Sequence, residues 1–267
     1  MPHAHINGIQ IYFEIHGSGP RLLVFSGSGG TIEGAGPMIQ KLSARFEVLI
    51  HDQRCLGRSG VPPTTPTMAD YAADGAALLD HVGWSTAMIF GISFGGMVAL
   101  EFAATWPERV ERMALLCTSP GGAGGSSFPL HTLAALPADE HARLRLHLAD
   151  SRYTPEFLAA NPFDQRLVDI AVAGRAAPRT EEQLRGEEMQ LLARSQHDVW
   201  DRLPNVSCPT LVACGEYDVL APPTNSEAIA GQIASSQLRR YQGGHAFAWQ
   251  DRRAWPDIIT FLSGSEP

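Results

Sequence analysis

A single lysine, Lys41, is all that this 267-residue chain carries, and 20 Lys+Arg against 28 Asp+Glu leave a net charge of −8. Without a basic stripe or cluster, neither nucleic acid nor an anionic membrane surface is an expected partner. The same balance points to a small ligand that is not strongly anionic. Cysteine is also scarce: Cys55, Cys117, Cys208 and Cys214 are scattered without metal-ligand spacing. Cys208 and Cys214 lie six residues apart in an expected strand, about 20 Å if extended, too far to bridge. All four are therefore expected as reduced thiols. No apolar run approaches the roughly 18 residues of a membrane span, and no charged-then-apolar leader opens the chain. A cytoplasmic location is the expectation that follows. At 44% hydrophobic and 18% charged residues, the composition excludes disorder and suits one α/β domain large enough to accept an insertion.

Strand and helix signals alternate along most of the chain. Ile6 to Ile15, with Asn7-Gly8 between apolar alternations, predicts an antiparallel hairpin. Strands are then expected at Leu22 to Phe25, Phe46 to Ile50, Ala87 to Phe90, Arg112 to Cys117, Thr210 to Ala213 and Gln237 to Tyr241. Helices are expected near Met38 to Ala44, Met68 to Val82, Phe94 to Thr105, Asn225 to Ile233 and Ala254 to Leu262. This alternation implies a mostly parallel, doubly wound sheet, whose sites gather at the carboxyl ends of the strands. The rhythm breaks between Ser119 and about Leu203. There Pro120 to Ser127 reads as an irregular glycine-rich loop, followed by helical patterning with Met189, Leu192, Val199 and Leu203 on one apolar side. Residues 119–203 are thus expected to form a helical cap inserted into a core made of 1–118 and 204–267.

Gly91-Ile92-Ser93-Phe94-Gly95 names its own chemistry. A Gly-x-Ser-x-Gly between an apolar strand and an apolar helix predicts a tight turn that presents Ser93 as a nucleophile. A serine hydroxyl needs a base within hydrogen-bond reach and a third group to orient that base. Of the ten histidines, His245 follows the last expected strand in Gly243-Gly244-His245 and is the candidate base. Asp218, after the strand beginning at Thr210, is the candidate carboxylate, with Glu216 the alternative. Acyl transfer also needs donors for the developing oxyanion. The backbone N–H of Phe94 and that of Ser28, in Ser26-Gly27-Ser28-Gly29-Gly30, are the candidates. Reading that loop as a phosphate cradle fails, because Ile32 stands where a third glycine is required and the chain has no Gly-Lys pair.

These motifs, with His51-Asp52-Gln53-Arg54-Cys55-Leu56-Gly57-Arg58-Ser59 and Pro209 to Val212, give a chain that resembles the α/β-hydrolase superfamily over nearly its whole length. It is most similar to small capped serine hydrolases of the 3-oxoadipate enol-lactonase and esterase type. The resemblance implies an α/β-hydrolase fold with eight core strands, a helical cap after the sixth and a Ser-Asp-His triad. Two departures stand out. Ser26 replaces the histidine that usually opens the oxyanion loop, and Cys55 replaces a glycine of the usual Asp-x-Arg-Gly-x-Gly-x-Ser motif.

The expected reaction is cleavage of a small carboxylic ester or lactone through an acyl-enzyme, with no metal or cofactor required. A carbon–carbon bond hydrolase using the same three residues is the alternative, and a ligand receptor on the same fold a more distant one. Phe247 and Trp249 are candidates either to line the pocket or to pack beneath the last helix.

Overall fold

The computed structural model describes residues 2–264; Met1 and 265–267, the outer ends of the two expected core segments, lie outside the described residues. The hairpin forms as β1 (His3–Ile6) and β2 (Ile9–His16), paired antiparallel. Its turn places Asn7 and Gly8 at φ +48 and +82, the left-handed region that Asn and Gly tolerate best. Six further strands follow: β3 (Arg21–Phe25), β4 (Glu47–His51), β5 (Ala87–Ile92), β6 (Val110–Leu116), β7 (Thr210–Gly215) and β8 (Ser236–Tyr241). They form one eight-stranded sheet in the order β1-β2-β4-β3-β5-β6-β7-β8, parallel from β4 to β8.

Core strands here are nearly continuous apolar runs because both faces are covered. Along β3, Leu23 and Phe25 face one layer with Leu49, Ile89 and Leu115, while Leu22 and Val24 face the other with Val48, Ile50, Met88 and Phe90. The second layer receives α1 (Gly36–Ser43). The first receives α2 (Met68–His81) and α3 (Phe94–Thr105). Each fully buried Leu, Ile or Phe of these layers contributes about 1.5–3 kcal/mol.

Between β6 and β7 come only helices among the described elements: α4 (Ala138–Ala149), α5 (Pro155–Ala160), α6 (Pro162–Ala176) and α7 (Glu181–Ser195), with short 3₁₀ turns. The apolar spacing through Met189, Leu192, Val199 and Leu203 is not one helix. α7 stops at Ser195, and Leu203 lies in the 3₁₀ turn Trp200–Asn205. Val199 and Leu203 are buried all the same. The glycine-rich loop makes a 3₁₀ turn at Gly122–Gly124 and bridges through Gly121 to Asp198. The chain closes with α8 (Pro223–Gln232), α9 (Phe247–Gln250) and α10 (Ala254–Leu262). No helix among the described residues is long and apolar enough to cross a membrane.

Strand β3 is where the winding reverses, since β4 pairs on one side of it and β5 on the other. Loops leaving β3 and β5 therefore diverge over a crevice, where open α/β sheets hold their ligands.

Candidate active site

Ser93 joins β5 directly to α3 with φ +54 and ψ −117, a conformation that costs a side-chain-bearing residue about 1–3 kcal/mol. Its surroundings impose it. The Ser93 N–H donates to the Leu116 carbonyl at 2.8 Å, and Thr118 Oγ1–H donates to the Ser93 carbonyl at 2.8 Å. The flanking glycines are sterically required. A Cβ on Gly95 would collide with the Phe25 carbonyl, and one on Gly91 would stand 2.6 Å from the Gly95 carbonyl oxygen. Strand β3, the turn and α3 thus fit together only with bare backbone at both positions.

The structure brings the three distant candidates into one chain of hydrogen bonds. His245 Nε2 lies 2.9 Å from Ser93 Oγ, and His245 Nδ1 lies 2.7 Å from Asp218 Oδ2. An imidazole with its proton on Nδ1 donates to Asp218 and accepts from the serine hydroxyl. The second Asp218 oxygen accepts the Ala221 N–H at 2.9 Å, which fixes the carboxylate. Burial would push the His245 imidazole down, but the Asp218 carboxylate, with Cys117 beside it, outweighs burial and raises it well above its ordinary 6.5. Glu216 is not part of this group; it is exposed and accepts from Gln242 Nε2.

The loop after β3 is held at three points. Gln53 Nε2 donates to the Ser26 carbonyl at 2.8 Å, Asp52 Oδ1 accepts the Ile32 N–H at 2.7 Å, and Gln190 Oε1 accepts the Gly29 N–H at 2.8 Å. A Cβ on Gly27 would stand 3.6 Å from that of Ser93, so this backbone runs alongside the serine. Neither the Ser28 nor the Phe94 N–H donates to a protein acceptor among the described residues. For Phe94 this follows from its place as the first residue of α3.

The helices between β6 and β7 hold three loops of the site, those that follow β3, β7 and β8. Besides Gln190, the Ala149 carbonyl at the end of α4 accepts the His245 N–H, and the Leu148 carbonyl accepts the N–H groups of Val219 and Leu220. Several of these contributors escape sequence reasoning. Gln53, Gln190 and Leu148 are ordinary residues whose partners lie far off in sequence. Cys117, at φ +42 just beyond β6, is also at the site. Its Sγ, an Asp218 oxygen and a His245 nitrogen lie within 4.8 Å of one another. These donors could serve a soft divalent ion, yet two of them are already engaged with each other. The two departures from the usual motifs have structural consequences. Ser26 is buried and its carbonyl serves Gln53. Cys55, buried, takes φ +75 where the motif has glycine, and its thiol is pushed up by burial. Phe247 and Trp249 pack beneath the last helix region: Phe247 stacks on Tyr241, and Trp249 lies against Trp255 of α10.

Comparison with known proteins agrees with this architecture. The family model described as alpha/beta hydrolase fold matches residues 20–251. A protein of Azorhizobium caulinodans provisionally named carbamate hydrolase RutD is 29% identical over 257 residues, covering 93% of this chain and 92% of that protein. A poly(3-hydroxyalkanoate) depolymerase of Ectopseudomonas oleovorans is 28% identical over 244 residues, covering 90% and 83%. Among solved structures, the enol-lactonase of Burkholderia xenovorans superposes with a TM-score of 0.80 at 21% identity, covering 99% of this chain and 100% of that one. The strand order, the serine turn and the match over most of its length agree: the chain belongs to the α/β-hydrolase fold family.

Proposed function

We propose that this protein is a serine hydrolase that cleaves a small carboxylic ester or lactone through an acyl-enzyme. The observation that carries the reading is the continuous path from Ser93 Oγ through the His245 ring to Asp218, at 2.9 and 2.7 Å. Relatives named for a carbamate and for a poly(3-hydroxyalkanoate) support an acyl substrate.

Ser93 Oγ attacks the acyl carbon as His245 Nε2 takes its proton, and Asp218 stabilises the imidazolium while holding its orientation. The N–H groups of Phe94 and Ser28 receive the developing oxyanion, a contribution of about 3 kcal/mol for each donor. His245 then delivers its proton to the leaving alkoxide. It next takes one from water as that water attacks the acyl-enzyme, and returns it to Ser93 Oγ as the acyl bond breaks and the carboxylic acid leaves. Residues 119–203 act as a cap, a reading supported by the hydrogen bonds from α4 and α7 to the site's loops.

The test is labelling with a fluorophosphonate and turnover of short-chain aryl esters, each compared with Ser93→Ala. Labelling and turnover that vanish together in the variant support the reading. A wild-type protein that does neither overturns it.

A further inference from the structure

The reaction leaves one buried nucleophile at the site unused. Cys117 follows β6 directly, is 1% exposed and takes φ +42. Its N–H donates to the Ala213 carbonyl of β7 at 2.9 Å, and the Leu116 carbonyl before it accepts the Ser93 N–H at 2.8 Å. Tied to β7 and to the serine turn, the residue keeps a backbone conformation that side chains normally avoid. Strands β6, β7 and β8 are neighbours in the sheet, and the segments leaving them bring together a thiol, a carboxylate and an imidazole. The Cys117 sulfur, an Asp218 oxygen and a His245 ring nitrogen lie within 4.8 Å of one another. The Asp218 side chain is fully buried, whereas that of His245 is 20% exposed and opens the group to solvent.

Thiolate, imidazole and carboxylate are the ligands that Zn²⁺ takes, at about 2.0–2.3 Å in a tetrahedron, which puts ligand atoms roughly 3.5 Å apart. Nδ1 of His245 and Oδ2 of Asp218 stand 2.7 Å apart, and the sulfur starts within 4.8 Å of both residues' ligand atoms. Side-chain adjustments of about 1 Å therefore bring the three to bonding distance and leave a fourth position for water. The two anionic donors cancel the charge of the ion, so its burial leaves no unpaired charge. Mg²⁺ and Ca²⁺, which take shells of oxygen, do not match a thiolate and an imidazole.

We propose that Cys117, Asp218 and His245 form an inhibitory site for a soft divalent cation such as Zn²⁺, which disables the base by occupying Nδ1. The site stands on this geometry, and its effect on turnover rests on the hydrolase reading above. In the active arrangement Nδ1 carries the ring proton, and the lone pair of Nε2 accepts from Ser93. When the cation bonds to the Nδ1 lone pair, the ring proton moves to Nε2 and the Cys117 thiol gives its proton to solvent. One proton is thus released for each ion bound. Nε2 then donates to Ser93 Oγ instead of accepting from it, and Asp218 holds the ion rather than the ring proton. Ser93 is left without a base.

The experiment titrates the full chain with Zn²⁺ during turnover of a short aryl ester, with Mg²⁺ as control, and follows Co²⁺ binding by its thiolate-to-cobalt charge-transfer band. Wild type should lose activity in Zn²⁺, keep it in the same concentration of Mg²⁺, recover it with a chelator, and show the band. Cys117→Ser, shown by thermal melting to be folded and referred to its own metal-free rate, should need at least about tenfold more Zn²⁺ for half-inhibition, since even outer-shell partners of a metal are worth that much. It should also lose the band, whereas Ser93→Ala should keep it. If Cys117→Ser does not fold, loss of the band in His245→Gln makes the same test. Zn²⁺ inhibition unchanged in folded Cys117→Ser, an active wild type that Zn²⁺ does not inhibit, or a band that survives in Cys117→Ser or His245→Gln overturns the proposal. The band separates the site from the hydrolase reading. A wild type that cleaves no ester but shows a band lost in Cys117→Ser supports the site, and one that cleaves esters without showing the band overturns the site alone.

Discussion

Gln190 Oε1 and the Gly29 N–H meet at 2.8 Å across 161 residues of sequence. Through this bond α7 fixes the loop whose Gly27 runs alongside Ser93. Gln190 is buried and presents its oxygen to a backbone donor that the loop cannot satisfy internally. The α4 carbonyls do the same for the loops carrying His245 and Asp218. The inserted helices therefore help to set the positions of the loops that carry Ser28, Asp218 and His245.

Replacing Gln190 by Met removes the acceptor while keeping most of the volume. Loss of a single hydrogen bond of this kind is worth about 1 kcal/mol, and it should fall on oxyanion placement. The expected outcome is a roughly fivefold drop in kcat on a short aryl ester with KM little changed. A change confined to KM would show that Gln190 shapes binding rather than the loop.

The His245 environment sets a pH dependence with a definite sign. Its imidazole is raised above 6.5 by Asp218 against the effect of burial, and only the neutral ring can take the Ser93 proton. The acid limb of kcat/KM should therefore be centred above 6.5. Asp218→Asn should shift that limb down and cut kcat by about 10⁴, as loss of the orienting carboxylate does elsewhere. Stability moves the opposite way. A raised folded-state value means that the ion pair stabilises fully below 6.5 and is lost as pH rises through the folded value. The difference in Tm between wild type and Asp218→Asn should accordingly shrink as pH increases from 6 to 9.

What the sequence makes legible is chemistry that sits beside its own local signal. Ser93 follows β5 directly, Asp218 and His245 lie in the loops that leave β7 and β8, and the structure brings the three within hydrogen-bond reach. Helices over Phe94–Thr105 and Ala254–Leu262 have the expected limits because their apolar composition ends where they do. Most strands run one to three residues beyond expectation, as ladder pairing carries polar ends such as Arg21 and Ser236 into the sheet. The end of α7 was hidden. Val199 and Leu203 continue an apparent helical spacing, but a loop and a 3₁₀ turn bury them after the helix has stopped. Gln53 and Gln190 were illegible for a different reason. Each is a common polar residue whose significance comes from a partner set by tertiary packing.

Asp74 carries a prediction about stability alone. It accepts both Arg54 Nε and Nη2 and also Asn7 Nδ2 at 2.9 Å, with the acid and the arginine both buried. Asp74→Ala leaves that guanidinium unpaired inside the protein. Breaking one side of such a pair costs about 3–5 kcal/mol. Urea unfolding should show that loss in the midpoint at nearly unchanged slope. Asp74→Asn, which keeps one acceptor oxygen, should lose less.

Gly95→Ala tests whether the serine turn tolerates any side chain. The added methyl would meet the Phe25 and Ser26 carbonyls, which belong to strand β3 and to the loop it feeds, so neither can retreat without disturbing the site. Overpacking of a closely fitted core typically costs about 1–3 kcal/mol. Relief by moving α3 would also shift Ser93 and the Phe94 N–H, because both lie within a turn of the new methyl. The expected result is a variant destabilised by at least about 1 kcal/mol in urea whose kcat falls at least tenfold even where it remains folded. Activity within twofold of wild type would mean that the close approach of β3 to α3 is not needed to present the serine.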